Sequence, residues 1–433
     1  MGMELMNELP KGWIECQLDE IFSIKKEKGI PNNTPYLEIG DININTKNYS
    51  LKDKPSVKGC KKASKDDVVI SRVRPTRGAI SLIKENELDV SSAFTVVSNE
   101  HKLNQRLLFY FLAWNDSFLN TLGENCTGTM YPTVSEGFIS AYKILVPPRN
   151  EQDLIVAKLD KLLSKVETAK ARLDTIPQTL KRFRQSVLSA AVSGELTKEW
   201  KVENKISEEW MSVYLKEISE KIQIGPFGTQ LHKSDYISNG IPLINPTHIQ
   251  NYLIVPDLSF TINKKKFLEL KNYHLLHGDI IMGRRGEMGR CALVSEKENN
   301  WICGTGSFFI RPNKKIDSKF LFLVLRSDDI KKFLEGESKG TTMSNLNLTI
   351  LKNVPISFPI LEEQKEIVRR VEQLFKLADQ IEARYDKAKQ YTEKLTQSIL
   401  SKAFRGELVP QDPNDEPAEI LLKRIKAKNI YNK

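Results

Sequence analysis

One long, charged helical stretch occurs twice in this chain, and that repeat constrains the architecture more than any other feature. "PPRNEQDLIVAKLDKLLSKVETAKARLD" spans residues 147–174, and "PILEEQKEIVRRVEQLFKLADQIEARYD" spans 359–386. An offset of 212 residues aligns them without a gap, and 17 of the 46 positions in 151–196 equal their counterparts in 363–408. Shared heptad composition explains matches among Leu, Lys and Glu. It does not explain "Q-S-x-L-S-x-A" at 185–191 and 397–403, or "G-E-L" at 194–196 and 406–408. Self-similarity at a fixed offset marks a unit used twice.

Each copy carries an apolar stripe with 4-3 spacing. The first includes Ile155, Leu159, Leu162, Val166, Leu173 and Phe183; the second includes Ile367, Val371, Leu374, Ile381, Leu395 and Ile399. A stripe every 3.5 residues over five or more heptads is a coiled-coil seam. Some 42 residues make a helix of roughly 60 Å, and the partner of matching length is the other copy. Pro147, Pro148 and Pro359 end the preceding strand, and Gly194 and Gly406 stand where a left-handed cap closes a helix. Pro177 is expected to kink the first copy or split it in two.

About 150 residues precede each long helix, and these regions match more loosely. Trp13 and "LDEI" (18–21) answer Trp210 and "LKEI" (215–218). "DDVVISRVRPTRGAI" (66–80) answers "GDIIMGRRGEMGRCAL" (278–293), and "TGTMYPTV" (127–134) answers "KGTTMSNL" (339–346). Short β-rich runs alternate with loops, and each region has a helix near its end: "QRLLFYFLAWNDSFLNTL" and "SKFLFLVLRSDDIKKFL". The expected fold class is mixed α/β (α+β), with duplicated globular domains separated by a long two-helix coiled coil. The expected divisions are 1–148 (first head), 149–201 (first long helix), 202–359 (second head), 360–410 (second long helix) and 411–433 (a tail with a short amphipathic helix).

With 433 residues the chain is long enough for two or three cores, and its formal charge of +10 favours a polyanionic partner. No run approaches 18 apolar residues, so no transmembrane helix is expected, and the N-terminus lacks the apolar core of a signal peptide. Cys16, Cys60, Cys126, Cys291 and Cys303 are odd in number, widely spaced and without C-x-x-C, which fits thiols in a reducing, cytoplasmic setting.

These residues resemble one family, the specificity subunits of Type I restriction–modification systems. The resemblance covers nearly the whole chain. It is carried by "VPPRNEQDLIVAKLDKLL" (146–163), "RFRQSVLSAAVSGELTKEW" (182–200), "FPILEEQKEIVRRVEQLF" (358–375) and "TQSILSKAFRGELVPQDPNDEPAEILLKRI" (396–425). "IGPFGTQLHKSDYISNGIPLI" (224–244) is similar to the start of a target-recognition domain, whereas the first half lacks "GPFG" and begins its match near "YLEIGDI". The resemblance implies two target-recognition domains, each reading half of an asymmetric bipartite site in double-stranded DNA. It implies that the long helices pair as an antiparallel two-helix coiled coil, set the spacing and bind two methylation subunits, with restriction subunits joining that core. No cofactor is expected on this chain; S-adenosylmethionine, ATP and Mg belong to the partners. Two antiparallel domain–helix units acquire a local twofold axis, which suits the local dyads of duplex DNA.

Base readout needs donors and acceptors aimed at base edges, most often Arg on guanine and Asn or Gln on adenine. In the first head the candidates are Arg72, Arg74 and Arg77 after the strand "DDVVIS", with Lys61 and Lys62 just before it. Thr129 and Tyr131 lie on the Thr-rich loop. In the second head they are Arg284, Arg285 and Arg290, with Gln230 and Lys233 on the "GPFGTQLHK" loop and Thr341, Thr342 and Asn345 on the matched Thr-rich loop. The plainer reading of each is a solvated loop charge or a phosphate contact.

Motifs of catalysis are absent from the sequence. The five histidines show no H-E-x-x-H or other metal spacing, and "GRRGEMGR" (283–290) lacks the G-x-x-x-x-G-K-[ST] pattern. The Pro-Pro of "ILVPPR" lacks the Asn or Asp and the following aromatic of an adenine methyltransferase motif. A non-catalytic specificity subunit is the reading taken. The alternatives are a coiled-coil DNA-binding scaffold or regulator without a methyltransferase partner, and an enzyme in its own right.

Overall fold

The computed structural model describes residues 9–99, 103–338 and 346–431. The chain forms two compact units: Met1–Leu173 with Lys387–Lys433, and Asp174–Asp386.

Each unit is built on a four-stranded antiparallel sheet of the same order. In the first the strands run Ser23–Lys25, Phe94–Ser98, Val68–Ser71, Ile80–Leu82; in the second they run Ser219–Ile224, Ser307–Pro312, Ile280–Gly283, Cys291–Leu293. The two inner strands of each sheet are the apolar runs. Val68–Ser71 and Ile280–Gly283 are buried at all four positions, because an inner strand covered on both faces needs continuous rather than alternating hydrophobicity. A smaller sheet follows in each unit: Tyr36–Leu37, Glu87–Val90 and Lys61–Ser64 in the first, and four short strands between Tyr236 and Cys303 in the second. The strand entering each head pairs with the one leaving it, Ile14–Gln17 with Lys143–Val146 and Met211–Tyr214 with Pro355–Phe358.

The single helix expected near the end of each head is a pair. Residues 105–124 form Gln105–Ala113 and Asp116–Glu124, and residues 318–338 form Ser318–Leu325 and Asp328–Ser338. Asn115 breaks the first run because its side chain accepts from the Phe118 N–H, starting a new helix.

The repeated stretches form helices α1 (Arg149–Leu173), α2 (Ile176–Val192) and α3 (Leu361–Phe404), and a last helix, α4, covers Ala418–Tyr431. Pro177 splits the first copy: it sits in the first turn of α2, where its missing N–H has no helical partner to lose. Lys389 holds the matching position in the second copy, and α3 runs unbroken for 44 residues. Gly194 and Gly406 adopt φ of +79° and +70°, and a Cβ would meet the Trp210 ring at 3.2 Å in one and Pro10 Cγ at 2.8 Å in the other.

The helices pack in pairs within each unit. In the first, Ile155, Leu159 and Val166 of α1 are buried with Ile399, Leu400 and Ala403 of α3, and Leu162 and Leu395 pack against them. In the second, Val187, Leu188 and Ala191 of α2 are buried with Ile367, Val368 and Val371, flanked by Phe183 and Leu374. Partners run in opposite directions: Arg184 bonds Asp379 (2.6 Å) and Glu382 (2.8 Å), while Arg370 reaches the Leu196 carbonyl (3.0 Å). The apolar seam is not continuous. In the first unit Leu173 is half-buried, and in the second Ile381 is 38% exposed.

"EQ" at the start of each long helix has a structural cause. Gln152 donates to the Pro147 carbonyl (3.0 Å) and accepts from the Asn104 N–H (3.1 Å); Gln364 donates to Pro359 (2.8 Å) and accepts from Asp317 N–H (2.7 Å). Asn104 and Asp317 are the N-caps of the head helices, so each Gln ties the long helix to its own head. The neighbouring Glu is buried against a tryptophan. Trp13 Nε1 donates to Glu151 (2.9 Å), and Trp210 Nε1 donates to Glu363 (3.3 Å).

The two clamps differ in charge. Glu363 also accepts from Thr197 Oγ1 (2.8 Å) and lies 3.6 Å from Lys201 Nζ. Among the described residues no cation pairs with Glu151; burial pushes its carboxyl above the usual range, against hydrogen bonds from Trp13 and Gln411. A carboxyl raised on folding favours the folded chain while protonated, and that stability is lost as pH rises from the ordinary carboxylate range through the folded value. Glu151→Gln is therefore expected to raise the thermal midpoint of the first unit at neutral pH. The gap from wild type should close in acid, as scanning calorimetry at both pH values would read.

The tail completes the first unit. Ala418 N–H donates to the Gly12 carbonyl (2.9 Å), Ala418 and Ile425 enter the first core, and Lys426 pairs with Glu20 (2.6 Å).

Candidate nucleic-acid interface

In the first unit the strand Val68–Ser71 delivers its chain into a short loop whose middle is a helical turn, Pro75–Arg77, flanked by left-handed Arg74 (φ +47°) and Gly78 (φ +67°). Arg77 is exposed; Arg72 and Arg74 are partly exposed. Arg72 Nη2 donates to the Ser92 carbonyl (2.5 Å). Arg74 stacks 5.2 Å from the Tyr131 ring and donates to the Met130 carbonyl (3.3 Å). Sequence positions 72–77 and 127–133 are thereby brought together. The joining bonds are Arg74 N–H to Pro132 O (2.7 Å) and Val134 N–H to Arg72 O (2.9 Å). Thr129 and Tyr131 stand exposed on the second of these loops.

Lys61 and Lys62 are placed elsewhere. They lie on the strand Lys61–Ser64; Lys61 pairs with Glu136, and Lys62 with Glu87 at 2.9 Å. Sequence reading missed Lys47. It is buried beneath the arginine loop and donates to the Gly78 carbonyl (2.7 Å), and burial pulls its ammonium down to about 8. It holds the loop from inside.

In the second unit the equivalent strand, Ile280–Gly283, leads into Arg284–Arg290. Arg285 is exposed, Arg284 lies over the Phe308 ring at 5.4 Å, and Arg290 donates to the Pro246 carbonyl (3.3 Å). Burial and the neighbouring Arg285 charge lower the affinity of Arg284 for its proton. Gln230 accepts from Tyr273 OH (2.6 Å), and Lys233 is exposed on the adjoining turn. The "GPFG" loop must be glycine at its first position: a Cβ on Gly225 would fall 1.9 Å from the Gly304 carbonyl oxygen. Thr341, Thr342 and Asn345 lie outside the described residues.

Arg290 also borders an open cleft of about 1150 Å³ within this unit, lined by Lys181 and Arg184 of α2 and by Arg326 and Lys331. At its edge the hairpin joining Ile249–Gln250 to Leu253–Ile254 turns through two left-handed residues, Asn251 (φ +50°) and Tyr252 (φ +64°). Left-handed backbone is costly for a tyrosine. Arg326 stacks on the Tyr252 ring at 3.8 Å and Lys331 Nζ bonds its hydroxyl at 3.1 Å, fixing the turn. Burial lowers the Arg326 guanidinium below its ordinary value. Nothing in the sequence pattern links Tyr252 to Arg326; only the fold does.

Among the described residues no group of three or more His, Cys, Asp or Glu side chains is arranged to hold a metal ion, and no helix is long and apolar enough to cross a membrane.

Comparison with known proteins gives one answer. The family described as the Type I restriction modification DNA specificity domain matches twice, over residues 10–178 and 207–390. The Type I restriction enzyme EcoBI specificity subunit of Escherichia coli is 36% identical over 347 residues, 76% of this chain and 72% of that protein. The EcoDI specificity subunit, also from Escherichia coli, is 32% identical over 358 residues, 75% of this chain and 77% of that one. Among solved structures, the HsdS subunit from Thermoanaerobacter tengcongensis aligns with a TM-score of 0.65 at 22% identity, covering 94% of this chain and 100% of that one. A chain from a study of assembly and conformational transition of the type I R-M system aligns at 0.68 and 21%, covering 93% and 100%. These structural likenesses are of fold. With a matched segment in each unit and relatives of this identity, the chain belongs to the Type I restriction modification DNA specificity family, as a non-catalytic subunit that confers DNA sequence specificity.

Proposed function

We propose that each unit reads one half of an asymmetric, two-part site in double-stranded DNA, and that the paired helices carry two methylation subunits. Restriction subunits join that core, and S-adenosylmethionine, ATP and Mg act on the partners, in the cytoplasm. The observation that carries this reading is the arginine loop. It leaves the same inner strand of the same sheet in both units, yet its residues differ: Arg72, Arg74 and Arg77 in one, Arg284, Arg285 and Arg290 in the other. A common scaffold with unlike loops suits two unlike half-sites. Arginine in such a loop serves guanine edges or phosphates.

The test is co-expression with a methylation subunit of a Type I system and genome-wide mapping of methyladenine. A gapped, two-part motif is expected; a continuous palindrome counts against the reading. Exchanging residues 1–148 for another such head should change one half of the motif and leave the other. Substituting Arg77 or Arg285 by alanine should tell phosphate from base contact. A phosphate contact lowers the slope of log K against log salt by about 1 with no change of motif. A base contact relaxes the motif at one position.

A further inference from the structure

The loop from Thr127 to Thr133 ends in two large apolar side chains that the unit does not use. Met130 is 76% exposed and Tyr131 is 63% exposed. Single exposed hydrophobics are ordinary on any surface. This pair is adjacent, at the tip of a tightly held loop. Thr127 and Thr133 exchange both backbone hydrogen bonds at 2.9 Å, closing the neck, and Thr133 Oγ1 donates to the Tyr131 carbonyl (2.9 Å). Arg74 holds the tip from one side, through its N–H on Pro132 and its guanidinium on Met130 O and the Tyr131 ring. A loop so pinned presents its side chains in one pose and orders little on binding.

The surroundings select the occupant. Residues 71–78, "SRVRPTRG", hold three arginines and no acid, and residues 125–135, "NCTGTMYPTVS", hold no charged residue. Of the acids on either side, Glu136 is paired with Lys61 and Glu124 is exposed at the end of the helix Asp116–Glu124. An apolar tip inside a cationic collar matches a nucleic acid, in which the aromatic base stack lies between two lines of phosphate. A protein partner of similar shape would need acids around an apolar pocket.

We propose that Met130 and Tyr131 form a wedge that enters or abuts the base stack in the half-site read by the first unit, unstacking one base step. This rests on the proposed DNA-reading role. The cationic face of Arg74 backs the tyrosine ring, leaving the far face of the ring for a base. Arg77 is exposed on the same loop as Arg74, available to a phosphate beside an opened step.

The experiment uses the whole methyltransferase, this chain with its methylation subunits, and a duplex carrying the mapped motif. 2-Aminopurine replaces each purine of the first half-site in turn except the methylated adenine, which leaves the stack for methylation in any case. Wild type should raise the fluorescence several-fold at one step. The double variant M130A/Y131A should abolish that rise while the salt slope stays within error of wild type, since no phosphate contact is lost. M130L/Y131W should restore it. No rise at any purine of a duplex the enzyme binds and methylates would overturn the wedge and leave the DNA-reading role standing. A rise that survives the double variant would overturn it equally. Loss of methylation-subunit association in M130A/Y131A, read by size-exclusion chromatography without DNA, would assign the tip to a protein contact instead. The absence of any two-part methylation motif would strike the functional reading first, before the wedge is tested.

Discussion

Glu363→Ala is expected to lower the thermal midpoint of the second unit by about 6–12 °C. The carboxylate is fully buried and accepts from both Trp210 Nε1 and Thr197 Oγ1, with Lys201 Nζ 3.6 Å away. Removing it strands the buried Thr197 hydroxyl and the part-buried Trp210 N–H, each worth about 1 kcal/mol, and leaves the ammonium uncompensated for about 1 kcal/mol more. A loss of about 3 kcal/mol moves the midpoint of a domain of this size by roughly 2–4 °C per kcal/mol. Glu363→Gln keeps an acceptor for Trp210 and Thr197 and loses only the ion pair, so it should cost about 1 kcal/mol. Glutamine at the twin position, Glu151, acts in the opposite direction because no cation among the described residues faces it. Calorimetry of the full-length chain and its two single variants decides the matter. Equal signs for Glu151→Gln and Glu363→Gln would refute the charge difference between the clamps.

The second large effect lies in the helices. One heptad inserted in both copies, after Asp174 in the first and after Asp386 in the second, keeps the apolar register of the antiparallel pair. It lengthens the helical path by roughly 10 Å. Methylation mapping is then expected to show the same two half-sites with the gap between them widened by up to about 3 bp, one turn of duplex being ~34 Å. Inserting four residues in one copy alone breaks the pairing and should abolish methylation at any gapped motif. An unchanged gap after the paired insertion would mean that the helices do not set the spacing.

What could be read from residues alone follows from which interactions are local. Helices α1, α2 and α3 were legible because the 4-3 stripe and the caps at Pro177, Gly194 and Gly406 act through backbone and nearest turns. The inner strands Val68–Ser71 and Ile280–Gly283 were legible as β-rich apolar runs, but the matching order of the two sheets was not, because it rests on pairing between distant segments. The clamp residues were not. Glu151 and Glu363 lie on strongly charged helices, where a carboxylate carries no mark of burial. Their signal was the recurrence of Trp13 and Trp210 with the same "EQ", and only the fold joins a tryptophan to a carboxylate 138 or 153 residues away. Lys61 and Lys62 illustrate the same limit. A pair of lysines before a basic loop reads as part of it, yet their charges are met by Glu136 and Glu87. Lys47, Tyr252 and Arg326 have no sequence pattern at all, because each acts on a loop contributed by a distant segment.

The two units also differ in when they become complete during synthesis. Residues 174–386 form the second unit as one continuous segment, so it has all its parts once that segment has left the ribosome. The first unit needs α4, whose Ala418 bonds Gly12 and whose Ile425 enters the first core. Its N-terminal part must wait while the whole second unit is made, on the order of 10–40 s at roughly 5–20 residues per second. Through that interval the faces of the first head that α3 and α4 later cover are bare. The nascent chain therefore exposes one unfinished head beside one finished head, and truncation near the C-terminus strikes the half that was translated first.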